Sequence, residues 1–415
     1  MLDSYFCAPK TLRRLRTGPS APYIDGFADL LERDGYAQAS AVRYLRAAAH
    51  LGWFVYVRRG GWADVDAGTL AAFGGHFPRC RCPRSNGGAT GYHASFGAKL
   101  FHRHLVRLGV CNSAEIADAE HAEPVVVCAF KDWLRVHRGV SDPTLRQYGR
   151  GAIELINELG VDVASWTVQS VRDFLVGRAA KRGPATTQQL ITSLRAFLRY
   201  VNYAGESRHD LALAVPAVAS WRLARLPRHL SQDELVRVIA ACDGTTPGRR
   251  RDRAIVLLLS RLGLRGGDVA RLRLGDIDWR NGILRVTGKG RYEVGLPLPQ
   301  DVGDALLAYL ACRPAAGASD RVFLRSRAPF TPFSNGDGVS SVVRHALQRA
   351  GVKAAVKGAH LLRHTAATQM LRSGVPLDRI GLVLRHRSID MSAYYAKVDV
   401  ALLRAVAQPW PGAHP

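Results

Sequence analysis

Near the C-terminus the chain reads His360-Leu361-Leu362-Arg363-His364, then Arg385-His386, and Tyr395 follows nine residues after His386. These residues offer one phenolic nucleophile with several imidazole and guanidinium partners, and no carboxylate cluster stands among them. Such a set suits attack on a phosphodiester without a metal: a phenolate can attack phosphorus, and fixed cations can hold the charge that develops. His360 and Arg363 are three residues apart, so on one helix they share a face. Upstream, Gly263-Leu264-Arg265-Gly266-Gly267-Asp268 places an arginine where a loop enters a helix, with Asp268 in the first turn, where the dipole favours a carboxylate. Lys289 stands between two glycines at the tip of a tight turn.

The elements that must position these groups follow from local patterns. Ser231-Gln232-Asp233-Glu234 reads as a capping box opening a helix that runs to about Cys242. Residues Arg251 to Leu262 are apolar enough for a buried helix, and another begins at Gly266. Asn281-Gly282 is a strong hairpin turn. The alternating run Ile283-Leu284-Arg285-Val286-Thr287 enters a second turn at Gly288-Lys289-Gly290, and strand character returns from Tyr292 to Leu298. Helices resume near Val302, Gly338, Ala359 and Pro376. The fold class expected is mainly α with a small antiparallel three-stranded sheet (α+β).

A chain of 415 residues is too long for one comfortable core, so several domains are expected. Breakers and composition divide it into a helical N-terminal part (1–118), a second helical segment (119–205), a linker (206–225) rich in arginine, and a C-terminal part (226–410). The first two parts carry a faint repeat. Phe27-Ala28-Asp29-Leu30-Leu31 aligns with Phe130-Lys131-Asp132-Trp133-Leu134, Arg43 with Arg146, and Trp62 and Phe73 have counterparts in Trp166 and Phe174. Two modules of one ancestry would explain this, and so would chance similarity between amphipathic helices.

The balance of 58 Lys+Arg against 34 Asp+Glu, a formal charge of +24, favours a polyanionic partner. The seven cysteines are odd in number and mostly isolated, which speaks against a disulfide framework. Residues 1–20 lack an apolar signal region, and the apolar runs are too short to span a bilayer. A cytoplasmic protein associated with the nucleoid is the expectation.

Taken in order, Arg265, Lys289, His360-x-x-Arg363, His386 and Tyr395 resemble the catalytic domain of the tyrosine recombinases, the phage-integrase family. Gly-Leu-Arg265, Thr-Gly-Lys289-Gly, His360-Leu-Leu-Arg363-His-Thr-Ala-Ala-Thr and His386-Arg-Ser-Ile-Asp with Tyr395-Ala-Lys-Val-Asp look like that family's boxes. The resemblance covers roughly residues 226–410, and 119–205 look like its helical core-binding domain. It implies a site-specific DNA recombinase of a mobile element, acting as a homotetramer on two duplexes of double-stranded DNA, alone or with companion recombinases. Arg265 and Arg363 would grip the scissile phosphate. Tyr395 would form a 3′-phosphotyrosine, and Lys289 would protonate the leaving 5′-oxygen. His360 would serve as acid/base toward the tyrosine, and His386 would hydrogen-bond the phosphate. No cofactor is implied, and no G-x-x-x-x-G-K-[S/T] loop is present.

Departures from the family stand at Arg385, where Leu-Gly-His is usual, and at Met391, Ser392 and Tyr394. Asp268 replaces the more usual Glu. Spacing and the following Ala-Lys-Val-Asp select Tyr395 over Tyr394 as nucleophile. The competing readings are a type IB topoisomerase, which shares the chemistry, and a catalytically impaired DNA-binding accessory protein. Residues Val398 to Val406 could form a short C-terminal helix that docks on a neighbouring protomer or in cis.

Two further signals carry less. Cys80-Arg81-Cys82 lies near His76, His93, His102 and His104, but the C-x-C lacks a second pair and the histidines show no recognised finger spacing, so no metal is expected. The run Arg249-Arg250-Arg251 with Arg253 could touch backbone phosphate, although such runs are usually solvated faces.

Overall fold

A computed structural model describes residues 2–82, 91–112, 123–207, 209–216, 228–287, 293–314 and 319–386, together with Met391 and Tyr395. Lys289, Tyr394 and the Val398–Val406 segment lie outside the described residues. The chain divides into two compact units, one of which is Asp66–Thr69 with Asn112–Arg222. The other holds the N-terminal helices and the C-terminal part that carries the candidate site.

The N-terminal helices are α1 (Pro9–Arg16), α2 (Ala21–Arg33), α3 (Gln38–Val57), α4 (Ala67–Gly75) and α5 (Gly91–Arg107). The second unit contains α6 (Val125–Arg138), α7 (Asp142–Leu159), α8 (Val168–Ala179) and α9 (Pro184–Tyr203). The same succession of elements occurs twice, because a single 3₁₀ turn separates α3 from α4 (Trp62–Asp64) and α7 from α8 (Val163–Ser165). Helix α3 packs on α5 in the first set as α7 packs on α9 in the second. Phe27 meets Phe101 edge-on at 5.0 Å between ring centroids, and Phe130 meets Phe197 edge-on at 5.2 Å. Edge-to-face pairs at this distance contribute beyond the area they bury.

The C-terminal part is built as its local signals predict. Ser231 accepts from the Glu234 amide and Glu234 reaches back to the Ser231 amide, so the capping box opens α10 (Gln232–Ala240). Helix α11 (Pro247–Arg261) starts earlier than the apolar run alone suggests, with Thr246 as N-cap and Pro247 in the first turn. Its residues Ala254 to Leu259 are all buried, as expected of a helix that is apolar all round. After α12 (Gly266–Arg271) comes the antiparallel sheet β1 (Ile277–Asp278), β2 (Ile283–Thr287) and β3 (Glu293–Pro297), in that order. In β2, Leu284 and Val286 face the core while Ile283, Arg285 and Thr287 face out. Helices α13 (Gln300–Leu310), α14 (Gly336–Arg349), α15 (Ala359–Arg372) and α16 (Leu377–Leu384) complete the fold.

The run Arg249 to Arg253 is not a solvated face. Arg251 is buried, donates to the Leu324 carbonyl and pairs with Asp252, which Arg349 also holds. Arg249 donates to the Ala241 carbonyl and Arg253 pairs with Asp243. The Arg251 guanidinium is spent on an internal carbonyl and carboxylate, because desolvated charges must be paired, whereas the Arg253–Asp243 pair lies at the surface. Among the described residues no helix is long and apolar enough to cross a membrane.

Candidate active site

Helix α15 carries His360, Arg363 and His364. Arg363 is 4% exposed, and its guanidinium donates to the carbonyls of Gly263 and Leu384. It thereby fastens the loop between α11 and α12 to the end of α16. Burial, aided by repulsion from Arg265, pushes its pKa down to about 10, so it keeps its charge at neutral pH. Gly263 is required here. Its φ is +57°, and a Cβ would stand 2.4 Å from a Leu384 methyl. Any side chain would displace the carbonyl that Arg363 grips.

Arg265 is the N-cap of α12, and its Nη2 donates to the Arg385 carbonyl at 2.9 Å. Asp268, one turn on, is buried and accepts from Arg385 Nη2 at 2.8 Å and from Arg271 Nη2 at 3.1 Å, with Arg265 Nη1 4.0 Å away. Three guanidiniums, those of Arg265, Arg363 and Arg385, therefore share this corner with one buried carboxylate. The surplus of positive charge in a poorly solvated site is an anion attractor.

Arg385 itself terminates α16 in the left-handed conformation, φ +54°. Glycine suits such a C-terminal position because it has no Cβ to clash. The arginine instead spends its side chain on Asp268, which offsets the strain. Its Nε and Nη1 are buried and meet no hydrogen-bond partner among the described residues. The departure at Arg385 is thus structurally coupled to Asp268.

Tyr395 is 2% exposed and sits against Ala367, Leu371, Ile380 and Leu384. Its hydroxyl lies 2.8 Å from His364 Nδ1, and its ring is parallel to that of His386 with centroids 6.0 Å apart. His360 stands on the solvent side of the same helix, its ring centroid 6.2 Å from that of His364. Burial, then His360 and Arg363, holds the His364 pKa down at about 4. Burial, then Arg363 and Arg265, does the same for His386, also to about 4. His360 is lowered by desolvation and the same two arginines. His364 and His386 are therefore neutral at pH 7 and each keeps a ring lone pair.

The structure therefore brings Arg265, His360, Arg363, His386 and Tyr395 to one corner, while Lys289 falls in the β2–β3 connection outside the described residues. Sequence reasoning gave no role to His364 or to the carbonyl of Gly263, and it read Asp268 only as a first-turn carboxylate, not as the partner of Arg385. His364 had a signal: it is four residues from His360 on the same helix face.

The fold around this corner places the protein in a class that comparison with known proteins identifies. The model of the phage integrase family matches residues 228–401. The putative integrase/recombinase y4rA of Sinorhizobium fredii is 36% identical over 411 residues, 97% of this chain and 97% of its own. The tyrosine recombinase XerC of Alcanivorax borkumensis is 31% identical over 295 residues, 70% of this chain and 93% of its own. The crystal structure of the XerH site-specific recombinase bound to palindromic difH substrate, a post-cleavage complex, shares the fold. Its TM-score is 0.54 at 18% identity, over 69% of this chain and 85% of that one. The chain belongs to the tyrosine recombinase family.

Proposed function

We propose that this protein is a site-specific DNA recombinase that breaks and rejoins strands through a 3′-phosphotyrosine on Tyr395. The observation that carries the reading is the Tyr395 hydroxyl set 2.8 Å from His364 Nδ1, beside a cluster of guanidiniums. Arg265 and Arg363 bind the non-bridging oxygens of the scissile phosphate, for which the planar guanidinium fork is suited. The Tyr395 oxygen bonds to phosphorus as the bond to the 5′-oxygen breaks. The phenolic proton passes to His364, with His360 next in line as acid/base, and Lys289 gives a proton to the departing 5′-oxygen. His386 hydrogen-bonds the phosphate. The energy of the cleaved bond stays in the phosphotyrosine ester, so rejoining needs no nucleotide hydrolysis.

Double-stranded DNA is the partner to which the net charge of +24 points. Helices α6–α9 and the C-terminal part would each contact the duplex, and a homotetramer would hold two sites, with the reaction taking place on the cytoplasmic nucleoid. The test is a DNA duplex nicked beside the cleavage point, so that the short product diffuses away and the covalent adduct accumulates. Wild type should trap adduct and Tyr395→Phe should not. Equal, negligible trapping by both would overturn catalysis, and loss of trapping in Tyr394→Phe alone would move the nucleophile. Relaxation of supercoiled plasmid without sequence preference would indicate a topoisomerase instead.

A further inference from the structure

A second cluster of reactive side chains lies in the N-terminal helices. His50 is on α3, His76 directly follows α4, and Cys80 and Cys82 follow the 3₁₀ turn Phe77–Arg79. One ligand atom from each of these four residues lies within 4.8 Å of all the others. We infer that His50, His76, Cys80 and Cys82 form a structural zinc site.

The separations support tetrahedral coordination. His50 Nε2 is 3.1 Å from His76 Nε2 and 3.2 Å from Cys80 Sγ, and Cys82 Sγ is 3.7 Å from His76 Nε2. Zinc bonds of about 2.0 Å to nitrogen and about 2.3 Å to sulfur, at tetrahedral angles, put neighbouring ligand atoms roughly 3.4 to 3.8 Å apart. These three separations need adjustments of only a few tenths of an ångström to accept an ion.

The hydrogen bonding also fits a metal better than a purely protein network. His76 Nδ1 is 2.6 Å from the Phe73 carbonyl, which can only accept, so Nδ1 carries the hydrogen. In the neutral ring Nε2 is then a bare lone pair aimed at His50 and Cys82. A carbonyl holding the distal ring nitrogen is the usual way a ligating histidine is oriented. Neither Cys80 nor Cys82 is in a disulfide. The rings of Phe54, Phe73 and Phe77 pack edge-on or tilted against the two imidazoles, which restricts water. Arg58 lies over the Phe54 ring at 4.3 Å and adds positive charge near Cys82.

Four protein ligands leave no open position, so the ion is structural. It ties the middle of α3 to the chain beyond α4. Spacing pointed away from a metal because His50 stands 26 residues before His76, far outside any finger pattern. Of the histidines that sequence proximity suggested, only His76 belongs to the cluster, and His102 is committed instead to the Val65 carbonyl.

The test uses the full chain, untagged, expressed with zinc and dialysed. Elemental analysis should find one zinc per chain in wild type and in Cys128→Ser, a control at an exposed cysteine of the other unit. The double variant Cys80→Ser/Cys82→Ser should lose it. Cobalt exchanged into wild type should give the intense visible bands of a tetrahedral site with thiolate-to-metal charge transfer, and His76→Cys should keep the metal and strengthen that charge transfer. Zinc well below one equivalent in wild type, equal zinc in the double variant, or cobalt spectra without thiolate bands would each overturn the assignment. If the double variant does not fold, the cobalt spectra of wild type and His76→Cys decide alone.

Discussion

Replacing His364 by phenylalanine removes the Nδ1 that lies 2.8 Å from the Tyr395 hydroxyl, while keeping a ring of similar size. Two magnitudes follow, depending on what His364 does. If it only orients the phenol, the loss is that of one neutral hydrogen bond, about 1 kcal/mol, or roughly fivefold in rate. If it takes the proton during attack, the loss is that of a general base, about 10²- to 10⁴-fold. His364 is neutral at pH 7 and so has a lone pair for the phenolic proton, although burial, then His360 and Arg363, hold its pKa down at about 4 and weaken it as a base. We therefore expect His364→Phe to lower the single-turnover rate of adduct formation at least 100-fold. DNA affinity by fluorescence anisotropy should stay within about twofold, since a buried neutral ring carries none of the phosphate attraction. His364→Asn, which retains an acceptor without comparable basicity, should fall between. A rate for His364→Phe within about fivefold of wild type, in protein with native circular dichroism, would refute the proton-accepting role and leave only orientation.

Other expectations rest on the same corner of the fold. Arg385→Gly relieves the left-handed backbone at φ +54° but breaks the pair with Asp268, whereas Arg385→Ala breaks the pair and keeps the strain. The alanine variant should be less stable than the glycine variant by about 1 kcal/mol in urea unfolding, and equal stabilities would show that the strain is absent. Gly263→Ala meets both a positive φ and the Leu384 side chain, so it should cost about 2 kcal/mol or more and slow adduct formation by shifting the carbonyl that Arg363 holds. Wild-type melting temperature in that variant would contradict the packing described. His364 and His386 are held at about 4 in the fold, below the unfolded value of about 6.5. The unfolded chain binds more protons between those values, so stability is fullest above pH 6.5 and falls as pH drops toward 4, by at most about 1.4 kcal/mol per unit for each ring. Urea midpoints at pH 7.5, 5.5 and 4.5 should show this slope, and His364→Asn/His386→Asn should flatten it; an unchanged slope would sink the assignment.

What the sequence by itself determined is local or one-dimensional. The capping box at Ser231, the alternation along β2 and the i, i+3 pair His360 and Arg363 depend on neighbours within one turn or one strand, where spacing dictates which side chains share a face. The set Arg265, His360, Arg363, His386 and Tyr395 was legible through its resemblance to the family's boxes, and the surplus of basic residues through composition. Packing between distant segments decided the rest. The Gly263 carbonyl meets Arg363 a hundred residues later, the Arg385 carbonyl accepts from Arg265, and Arg251 turns inward to Leu324. The partner of the Tyr395 hydroxyl, thirty-one residues away, and the union of His50 with the Cys80–Cys82 pair have the same origin. No local pattern encodes such meetings, because they follow from which apolar faces are buried together, and a buried polar group then takes whatever partner that packing brings within reach.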